Sequence, residues 1–255
     1  MPIAASAEAV RPTRRPVTAN GVPIHTTTYI GTNWTNRTAD SPPPPAPGTY
    51  YPMAFLVEQP PGSVVQSHFH AADQFQVVVA GGGHLGRHPV RPVTVHYTNA
   101  HTAYGPITAG EEGLHYFTLR NGYDPGARYV AQEAAALKAI PGRRPWQTTT
   151  APVEPMPAIA GPARVEEMLE PRADGLHADG LGAWRHILPP GARLTGPDPA
   201  AGRGQFWVVT AGSLDGMPPL SLVYVHPEDA AREAEAGAEG ADLLILQYPR
   251  RTADA

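Results

Sequence analysis

Three short motifs occur twice in this 255-residue chain, in the same order and at nearly one offset. Pro60-Pro61-Gly62 returns as Pro189-Pro190-Gly191. Gln74-Phe75-Gln76-Val77-Val78-Val79-Ala80-Gly81 returns as Gln205-Phe206-Trp207-Val208-Val209-Thr210-Ala211-Gly212. Ala109-Gly110-Glu111-Glu112-Gly113 returns as Ala236-Gly237-Ala238-Glu239-Gly240. The offsets are 129, 131 and 127 residues, so only small insertions separate the copies. Ordered self-similarity of this kind marks a tandem duplication of one folding unit.

That unit is β-rich. The 26 glycines and 31 prolines are spread between apolar runs, where they read as turns, and both residues are poor in helix interiors. Strands are predicted at 22–30, 53–59, 64–70, 74–80, 93–98 and 113–120, short runs at close spacing. This pattern fits a small barrel or sandwich. One helix is predicted, Ala131–Ala139, stopped by Pro141-Gly142. The charged, alanine-rich segments Arg164–Glu170 and Glu228–Ala238 read as solvated helices, and Ser41–Pro47 as a polyproline connector. The expected organisation is a flexible arm over 1–21, a first barrel over 22–140, a Pro-rich linker over 141–160 and a second barrel over 161–250.

Absences narrow the chemistry. The chain has no cysteine, which excludes disulfides, thiolate nucleophiles and Fe–S clusters. Lys138 is the sole lysine, and no Gly-Lys-Ser/Thr follows a glycine loop, so a P-loop is excluded. Net charge is −4 with no basic stripe, which argues against a nucleic-acid partner. No apolar run is long enough for a membrane span, and the arginine-bearing N-terminus lacks the apolar core of a signal peptide. A cytoplasmic protein without a membrane partner is expected. Gly81-Gly-Gly-His-Leu-Gly86 matches a dinucleotide fingerprint, but Pro89 and Pro92 forbid the helix that motif must open, so it reads as a hairpin turn.

Histidine placement is the strongest chemical signal. Seven of the 11 histidines fall between His68 and His115. His68 and His70 are two apart on a predicted strand, so both side chains leave one face. Gln74 begins the next strand, and His101 precedes a Gly105-Pro106 turn. Two imidazoles on one strand with a third group from a neighbour is a layout that can hold a metal. His84, His88 and His96 lie in or beside the glycine-rich turn and are expected to face solvent.

Gly62-x5-His68-x-His70-x3-Gln74-x6-Gly81 resembles the first motif of the cupin superfamily, with glutamine where the family usually has glutamate. His101 matches the second-motif histidine. With the duplication, the chain resembles a bicupin over roughly 22–130 and 160–250. The resemblance implies two antiparallel β-barrels of the double-stranded β-helix (jelly-roll) type. It also implies one divalent metal held by His68, His70, Gln74 and His101: iron first, with zinc, manganese or nickel as alternatives. A neutral Gln74 would leave such a site at full dication charge, favouring a small anionic, chelating substrate. The base must then come from elsewhere, either a metal-bound hydroxide or a residue such as Tyr104 or His115, the candidate catalytic residues.

The second copy departs from the pattern. Pro197 and Pro199 stand where His68 and His70 stand in the first, and only Gln205 survives. A second barrel without metal is expected, with Trp207 filling its interior in place of Gln76. The function implied is a metal-dependent dioxygenase acting on an aromatic, enol or diketone anion. A redox-neutral lyase, isomerase or cyclase and a non-catalytic binding cupin are the alternatives. Exposed barrel edges suggest a homodimer.

Overall fold

The computed structural model describes residues 1–32, 43–46, 49–156, 161–169 and 179–250. It divides into two compact units: Arg11–Val153, here the N-terminal unit, and Met1–Val10 with Glu154–Ala255, the C-terminal unit. The fold is all-β and antiparallel, as expected. No helix among the described residues is long and apolar enough to cross a membrane.

The two units repeat one strand order. In the N-terminal unit the sheet runs Gln147–Thr149, Thr94–Thr98, Gln74–Leu85, Ile107–Gly122, Tyr50–Gln59, Val22–Ile30 and Arg15–Ala19. In the C-terminal unit it runs Ile3–Ala5, Leu222–Val225, Gln205–Leu214, Glu233–Gln247, Gly182–Leu188 and Arg164–Glu167. Each unit also has a short strand folded onto the long central one: Val64–Val65 on Ile107–Gly122, and Arg193–Thr195 on Glu233–Gln247. The recurring motifs thus occupy equivalent places in two copies of one topology.

The recurring glycines have a steric reason. Gly81 and Gly212 both sit at positive φ where a Cβ would lie 2.2 Å from the carbonyl oxygen of Gly113 and Gly240 respectively. Both crossings sit at interruptions of strand register, where the long strands bend. Only glycine permits that backbone approach, so the two motifs are retained as contacting pairs.

Strand alternation then builds one apolar cluster per unit. Met53, Phe55, Val57, Val78, Leu114 and Tyr116 belong to the N-terminal cluster, while Trp207, Val209, Val223, Leu243 and Ile245 belong to the C-terminal one.

Several local expectations are corrected. Residues 1–21 are not a flexible arm: Ile3–Ala5 pairs with Leu222–Val225, and Arg15–Ala19 pairs with Val22–Ile30. The cause is a sheet edge that would otherwise present unpaired N–H and C=O groups, together with burial of Ala5 and Val10. Within the Pro-rich linker, Gln147–Thr149 is a strand paired with Thr94–Thr98; residues 157–160 lie outside the described residues. Arg164–Glu167 and the Glu233 end of Glu233–Gln247 are strand, not helix, because pairing with Gly182–Leu188 and Gln205–Leu214 overrides helix propensity; residue 170 lies outside the described residues. Gly81–Leu85 continues the strand rather than forming the turn, which falls at Gly86-Arg87. The helix is present, as Val130–Ala139. Much of the proline connector, residues 41–42 and 47, lies outside the described residues.

Candidate functional site

The N-terminal unit encloses a cavity of about 170 Å³. His68, His70, Gln76, Tyr104, Thr118, Arg120 and Tyr129 supply its polar lining, and Ile24, Phe55, Val57, Val65 and Tyr116 much of its apolar wall. The phase of the strands explains this set. Leu114, Tyr116, Thr118 and Arg120 alternate inward along Ile107–Gly122. In the register, Thr118 faces Gln76, and Gln76 also faces His96.

His68 and His70 come together as expected, their ring centroids 5.2 Å apart and perpendicular. His68 Nδ1 lies 2.8 Å from the Gln66 carbonyl oxygen, which must accept its proton, so Nε2 carries the bare lone pair. Burial, then the neighbouring His70, lower its pKa to about 3. His70 Nδ1 donates to Asp124 Oδ2 at 2.8 Å, and burial, then Arg120, lower its pKa as well. Both rings are therefore neutral at physiological pH.

Arg120 organises the rest. Its Nε and Nη2 donate to Gln74 Oε1 at 2.9 and 2.6 Å, and Nη2 lies against the His70 ring, 3.2 Å from Nδ1 and 3.1 Å from Nε2. Gln74 Nε2 in turn donates to the Tyr104 hydroxyl at 2.8 Å. The counter-charge is Asp124, whose Oδ2 lies 3.3 Å from Arg120 Nη1. Asp124 also accepts from the backbone N–H of Ala71 and Gly126 at 2.9 and 3.1 Å. Burial alone would raise the Asp124 pKa, but Arg120 and His70 outweigh it and hold the carboxyl below the usual carboxylate range.

The remaining site candidates divide. Tyr104 lines the cavity, 4.5 Å from His68 by ring centroid. Its hydroxyl accepts from Gln74 Nε2, and burial raises its pKa. His115 is not brought to the site: it falls between inward-facing Leu114 and Tyr116, opposite Glu58 and Ala80, on the outer face. His101 touches the site through its backbone, donating its N–H to the His70 carbonyl at 2.7 Å, and its ring is not among the cavity's lining. His96 is buried rather than exposed, with Nδ1 on the Thr149 hydroxyl and burial lowering its pKa to about 3.

Sequence reasoning missed Arg120 and Asp124. The alternation of Leu114, Tyr116, Thr118 and Arg120 was the available signal, but an arginine closing a strand reads as solvent-facing.

The C-terminal unit shows the equivalent interior filled. Trp207, at the position of Gln76, is 1% exposed and donates its indole N–H to Gln205 Oε1 at 3.0 Å. Gln247, at the position of Arg120, accepts from Gln205 Nε2 at 2.8 Å. The glutamine therefore has a cross-strand partner in both copies.

Solved structures share this architecture. A candidate dioxygenase from Nostoc punctiforme is similar over 100% of this chain and 85% of its own, with a TM-score of 0.62 at 15% identity. The bacterial pirin YhhW from Escherichia coli, in complex with nickel(II), is similar over 98% of this chain and 100% of its own, with a TM-score of 0.57 at 12% identity. A variant of oxalate decarboxylase from Bacillus subtilis is similar over 98% of this chain and 78% of its own, with a TM-score of 0.56 at 11% identity. These neighbours are cupin-fold proteins, and the antiparallel β architecture of this chain is consistent with that fold. No family model matches the chain, and no curated protein matches it in sequence.

The metal that the cupin resemblance implies can be tested against these residues. The four-residue set does not fit it in this arrangement. Gln74 Oε1 already accepts from a guanidinium that also lies against the His70 ring, and the His101 ring, its Nδ1 buried without a hydrogen-bond partner among the described residues, is not among the cavity's lining. Among the described residues no three His, Cys, Asp or Glu side chains are grouped to hold a metal.

Proposed function

We propose that the N-terminal unit takes a small oxyanion with an aromatic or enol-type body into this cavity and transforms it without a change of redox state. The observation that carries this reading is the contrast at one position. Gln76 borders an open cavity, whereas Trp207 fills its counterpart. The oxyanion would meet Arg120 and the Tyr104 hydroxyl, and the body would lie along Phe55, Val57 and Tyr116. His68, with a bare Nε2 at the cavity wall, is the group placed to take a proton once a bound oxyanion offsets the burial that depresses its pKa, and Arg120 would stabilise the enolate that results.

The test is a panel of enol and hydroxy acids assayed in deuterated buffer, without oxygen and with a chelator present. Deuterium incorporation that persists under these conditions and is lost in His68→Gln supports the reading. Turnover found only when oxygen is admitted and the chelator is left out would overturn it.

A metal-dependent dioxygenase is the second reading, favoured by one observation. His68 and His70 each have Nδ1 tied to an acceptor, the Gln66 carbonyl and Asp124. Metal-ligating imidazoles are oriented in this way. That reading takes a chelating aromatic, enol or diketone anion, with iron as the metal; zinc, manganese or nickel would serve its redox-neutral form. Oxygen uptake restored by adding iron to chelator-treated protein would select it.

A further inference from the structure

We infer that Arg120 is the resident cation of this site and stands in place of a divalent metal. The inference rests on the cavity reading for its ligand, but its own evidence is the hydrogen-bond network. Three nitrogens of one guanidinium face Gln74 Oε1, His70 and Asp124. Two of the four residues that a cupin metal would use are thereby engaged.

Asp124 is built to hold a fixed positive charge. It is fully buried, anchored by the N–H groups of Ala71 and Gly126, and it also fixes the His70 tautomer, the ring lying against the arginine. The guanidinium is further packed on Phe55, 5.4 Å from the ring centroid. A single delocalised charge balanced by one carboxylate makes a neutral cluster, for which Gln74 is suited because it adds an acceptor without adding charge.

The C-terminal copy supports the same logic. There the facing pair is Gln205 and Gln247, two amides bonded across the strands with no charge at all. The cross-strand bond from the glutamine to the long strand is the shared feature, and Arg120 is what the N-terminal unit adds to it. The consequence for ligand class is specific. A planar guanidinium recognises a carboxylate or enolate by hydrogen bonds, without the open coordination positions that a chelating diol or diketone needs.

The experiment is equilibrium dialysis of full-length protein against nickel(II) at neutral pH, using wild type, His70→Ala and Arg120→Met. Wild type is expected to bind nickel no more tightly than His70→Ala. Arg120→Met, which removes the guanidinium from the His70 ring and from Gln74 Oε1, is expected to bind it at least about tenfold tighter than wild type, about 1.4 kcal/mol. One equivalent of nickel taken up by wild type and lost in His70→Ala would overturn the inference. So would an Arg120→Met that folds and binds nickel no better than wild type. Should Arg120→Met fail to fold, the comparison of wild type with His70→Ala decides alone. Failure of the cavity reading would leave these metal results untouched, so the two fail separately.

Discussion

Acidification should destabilise the N-terminal unit through His96, and the size of the effect follows from its surroundings. The ring is 2% exposed, Nδ1 is held by the Thr149 hydroxyl, and Nε2 has no hydrogen-bond partner among the described residues. Burial, the dominant cause, puts its native pKa at about 3 against the ordinary value of 6.5. The unfolded chain therefore binds a proton below pH 6.5 that the native chain refuses until pH 3. Stability present at pH 7 is lost as pH falls through that window. Between pH 7 and pH 5 the linkage amounts to about 2 kcal/mol for this one residue.

The assay is urea unfolding at the two pH values for wild type and His96→Gln. The variant should start lower at pH 7, since Thr149 loses its ring partner, yet lose about 2 kcal/mol less than wild type on going to pH 5. Equal losses in the two proteins would refute the argument, because they would mean His96 protonates without cost in the native state.

Two further outcomes follow. Asp124→Asn removes the only carboxylate facing Arg120 and His70 among the described residues, and an uncompensated buried guanidinium should cost about 3–5 kcal/mol in urea unfolding; a cost below about 1 kcal/mol would show that the pair is solvated. Deletion of Met1–Val10 strips Ile3–Ala5 from Leu222–Val225, so the amides along that strand should exchange faster with deuterated solvent. Unchanged protection there would contradict the pairing.

How far the sequence revealed this fold and site depends on the range of the interactions concerned. The duplication was legible because its motifs do local work. Pro60-Pro61-Gly62 and Pro189-Pro190-Gly191 make turns, and Gly81 and Gly212 admit a crossing backbone that no Cβ would allow. His68 and His70 were legible as neighbours because a two-residue spacing on a strand fixes one face. Trp207 was legible as the filler of its interior because the aligned position in the first copy is a smaller polar residue.

What was not legible depends on partners distant in the chain. Ile3–Ala5 becomes a strand only because an edge at Leu222–Val225 needs one. Glu233–Gln247 reads as helical in its first residues, and they are strand because Arg193–Thr195 and Leu214 pair with them. His101 satisfies a motif spacing, yet its backbone and not its ring reaches His70. Arg120 closes a predicted strand with nothing local to mark it as buried, and the carboxylate that compensates its burial, Asp124, lies beyond that strand.

The central claim is that the open interior of the N-terminal unit is a ligand site and the filled interior of the C-terminal unit is not. The measurement that tests it most directly is the melting shift produced by small aromatic and enol carboxylates on wild type and on Gln76→Trp. That substitution places in one copy the residue the other copy already accommodates. Members of the panel should stabilise wild type and leave Gln76→Trp unshifted while its fold is kept. Equal stabilisation of both proteins would place the ligand elsewhere and contradict the account.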